Sequence, residues 1–523
     1  MGARRAPVAP SAGTPAATST RSVTVRMTDS ARGGLLLAAL LILGGLAAPA
    51  MALAGYETRL TSGASQHTWP ALSGDLVAYE DNRNGQTDIY LYDLRTGTEQ
   101  RLTDEPCEHY WPKISGDRVV WWDNRSGEKN YDVFMYNTTT GIETRITSEP
   151  HNQENAEIFG DRIVYMDAWS GNFDVSLYDT LAGSETRITD DPADQWEPQI
   201  WGDRIVWMDN RSNPGYDPSS QYFDYYTYDL STLTEQALTT QGWAWYGGIH
   251  GDRFVWSQWR PDGSYPGGNN EQIYLYDFPT GTETRITSDA SNHWYPKVYE
   301  DRIVWEDDRN GADSNWDIYL YNVTTGAEEQ VTTLPSAQWN PVVWGNRIVY
   351  EDYRDGNPQI FLYTIVTKPV PGFTSDVTTG SAPLTVVFAD LTEGNVTGWL
   401  WDFGDGSTSG EENPSHTYTG TGSYTVTLTA TNAAGSATVS IAGYVTVTTG
   451  VIPLPGFTQP PTDPDTDGIY EDLTGDGQLR FNDVVTFFQN MEWISANEPV
   501  QAFDLNGNGR IDFNDVVKLF QEL

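Results

Sequence analysis

One sequence pattern recurs seven times between residues 55 and 366 and constrains the fold more than any other feature. The copy at Gly116–Thr147 reads GDRVVWWDNRSGEKNYDVFMYNTTTGIETRIT. The copies begin between 42 and 49 residues apart, at Gly74, Gly116, Gly160, Gly202, Gly251, Glu300 and Gly345. A nearly fixed period of this length is typical of repeat architectures, in which each repeat is one structural unit.

Each repeat predicts four short β-strands. In the second copy these are Trp111–Ser115, Arg118–Asp123, Asp132–Asn137 and Glu143–Thr147, and the Gly116-Asp117 pair suits a two-residue hairpin turn. The second strand is apolar at successive positions, which indicates a sheet that is covered on both faces. Four-stranded sheets stacked radially have two covered faces, so the pattern predicts a β-propeller.

The two ends of the repeat region predict that the ring closes. The last copy ends after Gln359–Thr364 (QIFLYT) and has no ETRIT-type strand, whereas the region begins with Tyr56–Thr61 (YETRLT). If this N-terminal segment supplies the missing strand, seven blades form a closed circle rather than an open solenoid. We therefore predict a seven-bladed β-propeller over residues 55–366.

The repeat resembles that of the TolB-like propeller family, in which a D-R-x-G turn is followed by a D-I-Y-L-Y-D strand. The corresponding residues here are Asp81-Asn82-Arg83 with Asp88–Asp93. The resemblance implies the fold and much less about activity, because propellers serve binding proteins, hydrolases and lyases alike.

Composition restricts the partners of the chain. The formal net charge of −42 over 523 residues argues against nucleic acid and against an anionic membrane surface. Cys107 is the single cysteine, which excludes an intrachain disulfide and a cysteine-rich zinc site.

Residues 1–54 are predicted to be a secretory signal peptide, with Met27 as an alternative start. The apolar run at 33–54 follows Arg32 and ends in Ala52-Leu53-Ala54, a small-residue cleavage pattern. An uncleaved N-terminal anchor is the alternative interpretation. We expect a secreted, cell-surface protein without a membrane span after cleavage.

Residues 367–449 show a different all-β pattern. The motifs Trp401–Gly406 (WDFGDG), Asn413–Tyr418 (NPSHTY) and Gly422–Val426 (GSYTV) resemble the PKD family, an immunoglobulin-like β-sandwich of secreted surface proteins. Trp401 is expected to fill its core, and the resemblance favours a spacer over a ligand-binding role. The Pro-rich residues 450–461 are predicted to be an extended, semi-rigid linker.

The tail, residues 462–523, carries two calcium-loop patterns, each followed by an apolar helix. An EF-hand loop places oxygen ligands at positions 1, 3, 5, 9 and 12, a carbonyl at 7 and glycine at 6. The second pattern is predicted to be the stronger Ca²⁺ site, with ligands Asp504, Asn506, Asn508, Arg510 (through its carbonyl), Asp512 and Asp515. The first has Arg480 at position 9, where water can complete the site, with ligands Asp472, Thr474, Asp476, Gln478 (through its carbonyl) and Asp483.

Two loop–helix units that lack a leading helix and end in aspartate resemble dockerin modules. The resemblance implies a small α-helical calcium module that docks onto a protein partner. Helices that begin FNDVV depart from the usual Leu-rich form, which argues against a standard cohesin partner. The preceding acidic run Asp463–Gly468 matches the first positions of the same loop pattern. The remaining positions of that pattern overlap the next loop, so a third independent site is not expected.

The propeller offers one further candidate metal site. The strands before the GD turns begin with His67, His109, Gln195, His293 and Gln338. If these are inner strands, His67, His109, His293 and Gln338 converge at the channel mouth and can bind Mn²⁺ or Zn²⁺, an arrangement that resembles propeller-type oligogalacturonate lyases. The alternative is a polar group that caps each inner strand, because repeats duplicate structural residues as faithfully as functional ones.

Nearby tryptophans suit blade packing, with sugar stacking as the alternative; they are Trp69, Trp111, Trp196, Trp294 and Trp339. Two functional hypotheses follow. The first is a non-catalytic surface protein in which the propeller binds a protein or glycan, the PKD domain spaces it, and the calcium-ordered tail docks it, a layout that resembles archaeal surface proteins. The second is a metal-dependent polysaccharide lyase or hydrolase that acts at the channel mouth.

Overall fold

The computed structural model describes residues 53–127, 130–169, 171–212, 222–260, 270–310, 315–448 and 450–523. The predicted signal sequence lies outside these residues except for its last two. None of the described helices is long and apolar enough to span a membrane.

Seven four-stranded antiparallel sheets, which we call blades 1 to 7, follow one another along the chain. Blades 1 to 3 are β2–β5 (His67–Ser73, Leu76–Asp81, Asp88–Asp93, Thr98–Arg101), β6–β9 (His109–Ser115, Arg118–Asp123, Asp132–Asn137, Ile142–Arg145) and β10–β13 (Gln153–Phe159, Arg162–Asp167, Asp174–Asp179, Ser184–Arg187). Blades 4 and 5 are β14–β17 (Gln195–Trp201, Arg204–Asp209, Asp224–Asp229, Thr234–Ala237) and β18–β21 (Ala244–His250, Arg253–Gln258, Gln272–Asp277, Thr282–Arg285). Blade 6 is β22–β25 (His293–Tyr299, Arg302–Asp307, Asp317–Asn322, Ala327–Gln330), and blade 7 joins β26–β28 (Gln338–Trp344, Arg347–Asp352, Gln359–Ile365) to β1 (Gly55–Arg59).

The N-terminal strand closes the ring, as predicted. Strand β1 pairs antiparallel with β28, with Gly55 opposite Ile365 and Arg59 opposite Phe361. Apolar clusters join each blade to the next, and one of them brings Val349 and Leu362 of blade 7 against Val77 of blade 1. Burying apolar surface on both faces of every sheet is the main stabilisation that such a ring can gain.

The hairpin turn that precedes each second strand also joins neighbouring blades. Gly116 at this turn has φ +59°, a left-handed conformation that glycine adopts without strain. The following arginine, Arg118, donates from Nη1 to the Gly160 carbonyl of blade 3 at 2.7 Å. Arg347 of blade 7 makes the same bond to the Gly74 carbonyl of blade 1 at 2.8 Å, so the polar contacts also continue across the closure.

The second domain is a two-sheet sandwich. One sheet has the order β29-β31-β34 and the other β30-β36-β35-β32-β33. The strands are β29 (Phe373–Ser375), β30 (Thr379–Ser381), β31 (Leu384–Asp390), β32 (Gly398–Asp402), β33 (Thr408–Ser409), β34 (Ser415–Tyr418), β35 (Gly422–Asn432) and β36 (Gly435–Thr448). Trp401 is fully buried between the sheets and donates from Nε1 to the Glu411 carbonyl at 2.9 Å, so its predicted core position is confirmed.

The C-terminal residues form helices α1 (Phe481–Asn497), α2 (Val500–Phe503) and α3 (Phe513–Glu522). Phe487, Phe503 and Leu519 are fully buried in one core between them. Leu454, from the stretch predicted to be an extended linker, is buried in the same core. The predicted extended linker therefore packs on the tail at this residue, because burial of the Leu454 side chain is favourable.

Candidate functional site

The residues predicted to ring the channel mouth open their strands as expected, but they do not converge. The side chains of His67, His109, His293 and Gln338 are fully buried at the starts of β2, β6, β22 and β26. Every described group of three or more His, Cys, Asp or Glu side chains with ligand atoms within 4.8 Å contains at most one histidine. The predicted Mn²⁺ or Zn²⁺ site of three imidazoles and an amide is therefore not formed by these residues.

Each of these side chains interacts within its own region of the ring. His67 Nε2 lies 2.9 Å from Oδ2 of Asp81, its register partner on β3. Arg83 pairs with Asp81 and reaches Glu99 Oε1 on the outer strand at 2.7 Å. This line of polar groups crosses the blade. The same arginine–glutamate pair recurs as Arg125–Glu143, Arg211–Glu235, Arg260–Glu283, Arg309–Glu328 and Arg354–Glu57.

His293 is an ion-pair partner in this arrangement. Its Nε2 lies 3.3 Å from both Asp289 Oδ1 and Asp307 Oδ2, and its Nδ1 lies 3.0 Å from the Glu271 carbonyl. Burial alone would lower the pKa of His293, but the carboxylates of Asp289 and Asp307 outweigh it and raise that pKa to about 9. In the absence of a metal, the imidazolium form of His293 is thus favoured at neutral pH.

His109 belongs to a second small group of possible ligands. Cys107 Sγ lies 3.6 Å from His109 Nε2, and Asp123 completes the group. Burial, and then the charge of Asp123, raises the pKa of the Cys107 thiol to about 12. In the absence of a metal, Cys107 is therefore a neutral thiol. Arg125 already pairs with Asp123 at 2.7 Å.

Side chains from different blades do meet at the third position of the inner strands. In every blade the backbone there is left-handed, with φ between 48° and 54°, and the register shifts by a β-bulge. The residues are Trp69, Trp111, Asn155, Glu197, Tyr246, Tyr295 and Asn340. Because all seven blades share this backbone conformation, it is a feature of the fold. Only the side chain at the position differs from blade to blade.

Four of these seven residues form a continuous aromatic surface, which we call the mouth cluster: Trp69, Trp111, Tyr246 and Tyr295. The ring centroids of Trp69 and Trp111 are 5.0 Å apart, those of Trp69 and Tyr295 are 6.5 Å apart, and those of Tyr246 and Tyr295 are 4.0 Å apart. Trp69 and Tyr295 belong to blades 1 and 6, with blade 7 between them. Their contact therefore lies on the axis side of the inner strands.

Buried glutamates on the second strands hold the backbone of this layer. Glu351 accepts the Trp69 N–H at 2.8 Å, and Glu80 accepts the Trp111 N–H at 2.7 Å. Each bond joins one blade to the next. Burial raises the pKa of Glu80 to about 8. Glu351 and Glu80 thus position Trp69 and Trp111 through the backbone, and this role requires no contact with a ligand.

A charged layer lies two residues further along the inner strands. Lys113 Nζ pairs with Glu157 Oε1 of the next blade at 2.5 Å. Lys297 Nζ donates to the Gly247 carbonyl at 2.8 Å, and burial, followed by the charge of Lys113, lowers the pKa of Lys297 to about 8. Aromatic faces beside polar groups suit a sugar, which offers both an apolar ring face and hydroxyls.

The sequence identified only half of the mouth cluster. Trp69 and Trp111 belong to it, whereas Trp196, Trp294 and Trp339 occupy the second position and pack on loop aromatics such as Trp316 (4.8 Å) and Tyr353 (4.6 Å). Tyr246 and Tyr295 were missed. In five of the seven copies, including the copy with Tyr295, a proline follows the third position. This shared proline could have marked the third position as a special one in the sequence.

In the tail, the first and last predicted ligands of the second calcium-loop pattern hold the backbone of that loop. Asp504 accepts the N–H groups of Asn508 and Gly509 at 2.9 and 2.6 Å. Asp515 accepts those of Asn506 and Asp512 at 3.1 and 2.8 Å. Positions 1 and 12 thus close the loop from opposite ends, and an all-oxygen donor set of this kind fits Ca²⁺.

The first calcium loop has the same form with one difference. Asp472 accepts the Gly477 N–H at 2.6 Å, and Asp483 accepts the Thr474 N–H at 2.9 Å. Arg480, at position 9, pairs with Asp476 Oδ2 at 2.7 Å. A cation would compete with this guanidinium for a position-5 ligand, which agrees with the expectation of a weaker site.

The two helices that follow these loops expose an apolar surface, here called the Phe surface, made of Phe481, Phe488, Phe513 and Phe520. Each of these side chains is between 55% and 61% exposed. The ring centroids of Phe481 and Phe520 are 6.2 Å apart, and those of Phe488 and Phe513 are 5.9 Å apart. Because the two loop–helix units are duplicates, the surface repeats the same residues in antiparallel order.

One protein-family model matches part of the chain. Residues 366–447 match the PKD domain family. No curated protein sequence matches the chain. Among solved structures it is similar to the β-propeller domain of the Trilobed protease from Pyrococcus furiosus, with 14% identity and a TM-score of 0.47, covering 58% of this chain and 94% of that one.

Two further solved structures show the same kind of likeness. An oligogalacturonate lyase in complex with manganese has 13% identity and a TM-score of 0.45, covering 60% of this chain and 94% of that one. TolB from Acinetobacter baumannii has 16% identity and a TM-score of 0.32, covering 57% and 79%. These likenesses concern the fold alone. The chain contains a β-propeller, built from the seven described sheets, followed by a PKD domain.

Proposed function

We propose that this is a non-catalytic surface protein whose C-terminal, dockerin-like module docks onto a protein partner when calcium is bound. In this proposal the propeller binds a surface glycan or polysaccharide, and the PKD domain separates the two binding parts. Secretion, from the predicted signal sequence, is part of the same proposal.

The Phe surface carries the proposal. Solvent-exposed phenylalanines are costly to maintain, and a contiguous apolar patch of this kind marks an interaction site. The opposite faces of α1 and α3 bury Phe487 and Leu519, so the Phe surface is not needed for the fold of the module. A protein with an apolar, aromatic-accepting groove is the partner that fits it.

Calcium supports docking by fixing the starts of both helices. Asp515 is the last ligand of the second loop and also accepts the N–H of Asp512, which is the N-cap of α3. Asp483 has the same double role before α1. Binding of Ca²⁺ would therefore neutralise carboxylates at these loops and hold α1 and α3 in the orientation that aligns the phenylalanines.

The mouth cluster supports the glycan part of the proposal. Trp69 and Tyr295 supply aromatic faces on which a pyranose ring can stack, and Glu197 and Asn340 occupy the same layer with polar side chains. The formal charge of −42 disfavours an acidic polysaccharide, so a neutral glycan is the ligand class proposed.

Cosedimentation with cell envelopes of the source organism tests the docking step. The full-length protein should bind envelopes in calcium and detach in a chelator, and Phe488→Ser with Phe520→Ser should weaken binding at least tenfold. Leu400→Ser, at a PKD side chain that is 53% exposed, is the matched control and should bind like wild type. Equal binding by the double variant would refute docking through the Phe surface, and binding that persists without calcium would refute its dependence on calcium.

A further inference from the structure

Four carboxylates lie together immediately before the first calcium loop. Asp463, Asp465, Asp467 and Glu471 each place a ligand oxygen within 4.8 Å of the others. Asp463 accepts the N–H groups of Asp467 and Gly468 at 3.2 and 2.8 Å. Asp504 makes the same two bonds at positions 5 and 6 of the second calcium loop. The segment is thus folded like the beginning of the calcium loops.

Glu471 is an independent sign of a ligand. Its residue is only 6% exposed, although it is a carboxylate, and its oxygen faces the three aspartates. Apart from its own backbone amide, no described residue donates a hydrogen bond to this side chain. Nor does any described lysine or arginine pair with the four carboxylates, whereas Asp476 nearby is paired with Arg480. A buried carboxylate directed at three others is unfavourable unless it is protonated or a cation joins them.

We propose that Asp463, Asp465, Asp467 and Glu471 bind a third calcium ion. They occupy positions 1, 3, 5 and 9 of the loop pattern, and all donors are oxygen, as a hard cation requires. From the sequence, a third site was not expected because its closing ligand would fall inside the next loop. The structure supplies the closing ligand at Glu471, one residue before that loop begins at Asp472.

The third ion would hold the segment that precedes Asp472 against the rest of the tail. Tyr470 N–H donates to the Ala502 carbonyl at 2.9 Å, and Thr462 and Asp472 form a backbone bridge. Leu454 is buried in the core of the tail on the other side of this segment. A cation at the four carboxylates would join these contacts and fix the direction in which the chain leaves the PKD domain. This role is separate from docking, which depends on the two later loops.

Counting bound calcium tests the proposal. Full-length protein is dialysed to equilibrium at about 5 mM calcium, above the range of weak extracellular sites. Asp463→Asn with Asp465→Asn, which leaves Glu471 and Asp472 unchanged, should bind one ion fewer than wild type. The control Glu411→Gln with Glu412→Gln removes two exposed PKD charges and should bind the same number as wild type.

A second variant keeps the count interpretable. Asp504→Ala with Asp515→Ala should also remove one ion, and the two sets of substitutions together should remove two. In calcium, protease cleavage between residues 450 and 471 should increase only where the third site is removed. An unchanged ion count in the Asp463→Asn, Asp465→Asn variant would overturn the proposal. The proposal would also be overturned if adding these two substitutions to Asp504→Ala with Asp515→Ala removed no further ion.

Discussion

Arg354 donates from Nη1 and Nη2 to the two carboxylate oxygens of Glu57 at 2.7 and 2.8 Å, across 297 residues of sequence. This is the arginine–glutamate pair of five other blades, except that the glutamate comes from the N-terminal strand. The closing blade therefore reproduces the internal contacts of the others, which explains how a strand from the start of the chain completes the ring.

A disulfide across this seam tests the closure. Tyr56 lies opposite Thr364 in the β1–β28 pair, and residues directly opposite on antiparallel strands are within reach of a disulfide. Tyr56→Cys with Thr364→Cys, in a Cys107→Ser background, should oxidise readily and raise the melting temperature. Asn322→Cys, at the equivalent position of blade 6, replaces Thr364→Cys in the control and should leave both thiols free by mass spectrometry. Free thiols in the first pair would contradict the closure.

Histidine at the first position of an inner strand should make stability depend on pH. The pKa of His293 is raised to about 9 in the folded protein, above the ordinary value of 6.5. Protonation therefore favours folding, and the stabilisation is complete below pH 6.5, declines as pH rises from 6.5 to 9, and is lost above 9. His293→Gln, which installs the residue that blades 3, 4 and 7 use there, should lower the free energy of unfolding at pH 6 by on the order of 1–3 kcal/mol.

Urea unfolding of wild type and His293→Gln at pH 6, 8 and 10 measures this difference. The two proteins should converge at pH 10. A difference that stays constant across the series would show that His293 acts by packing rather than by charge.

Arg480 should weaken calcium binding at the first predicted calcium loop. Arg480→Asp removes the ion pair with Asp476 and adds an oxygen at position 9, so calcium affinity of this loop should rise at least tenfold. Arg510→Asp changes the charge of the second loop equally, but at position 7, where only the backbone carbonyl is used. Calorimetric titration should show a much smaller gain for this control, and equal gains in both loops would mean that net charge alone sets the affinity.

The repeat pattern predicted the fold well because each blade is determined locally. Adjacent strands are joined by short turns, and the apolar second strands require cover on both faces. Even the closure was visible, since the last copy lacked a strand that the N-terminus possessed. The burial of Leu454 was not visible, because it depends on a pocket formed by helices later in the chain.

The channel site was predicted less well because of one backbone feature. Aligning His67, His109 and His293 was correct, but the bulge after the second position brings the third side chain, not the first, into contact with other blades. A left-handed tryptophan or tyrosine inside a strand cannot be foreseen from strand periodicity. Each histidine lies opposite the aspartate that is its register partner on the second strand of the same blade.

The mouth cluster should bind neutral glycans by stacking. Trp69→Ala and Tyr295→Ala should each weaken binding about tenfold or more, since one lost aromatic face is worth on the order of 1–2 kcal/mol. Trp339→Ala, whose ring packs on Tyr353, serves as the control and should bind normally. Affinity electrophoresis against soluble polysaccharides provides the measurement, and equal loss in all three variants would assign the effect to misfolding.

The central claim is that calcium holds α1 and α3 in place so that the Phe surface can dock, and hydrogen exchange of the full-length protein tests it most directly. Amides in Phe481–Asn497 and Phe513–Glu522 should be protected in calcium and exchange rapidly after chelation, while the propeller strands stay protected in both conditions. In Asp504→Ala with Asp515→Ala, α3 should remain unprotected even in calcium. Equal protection of both helices with and without calcium would contradict the account.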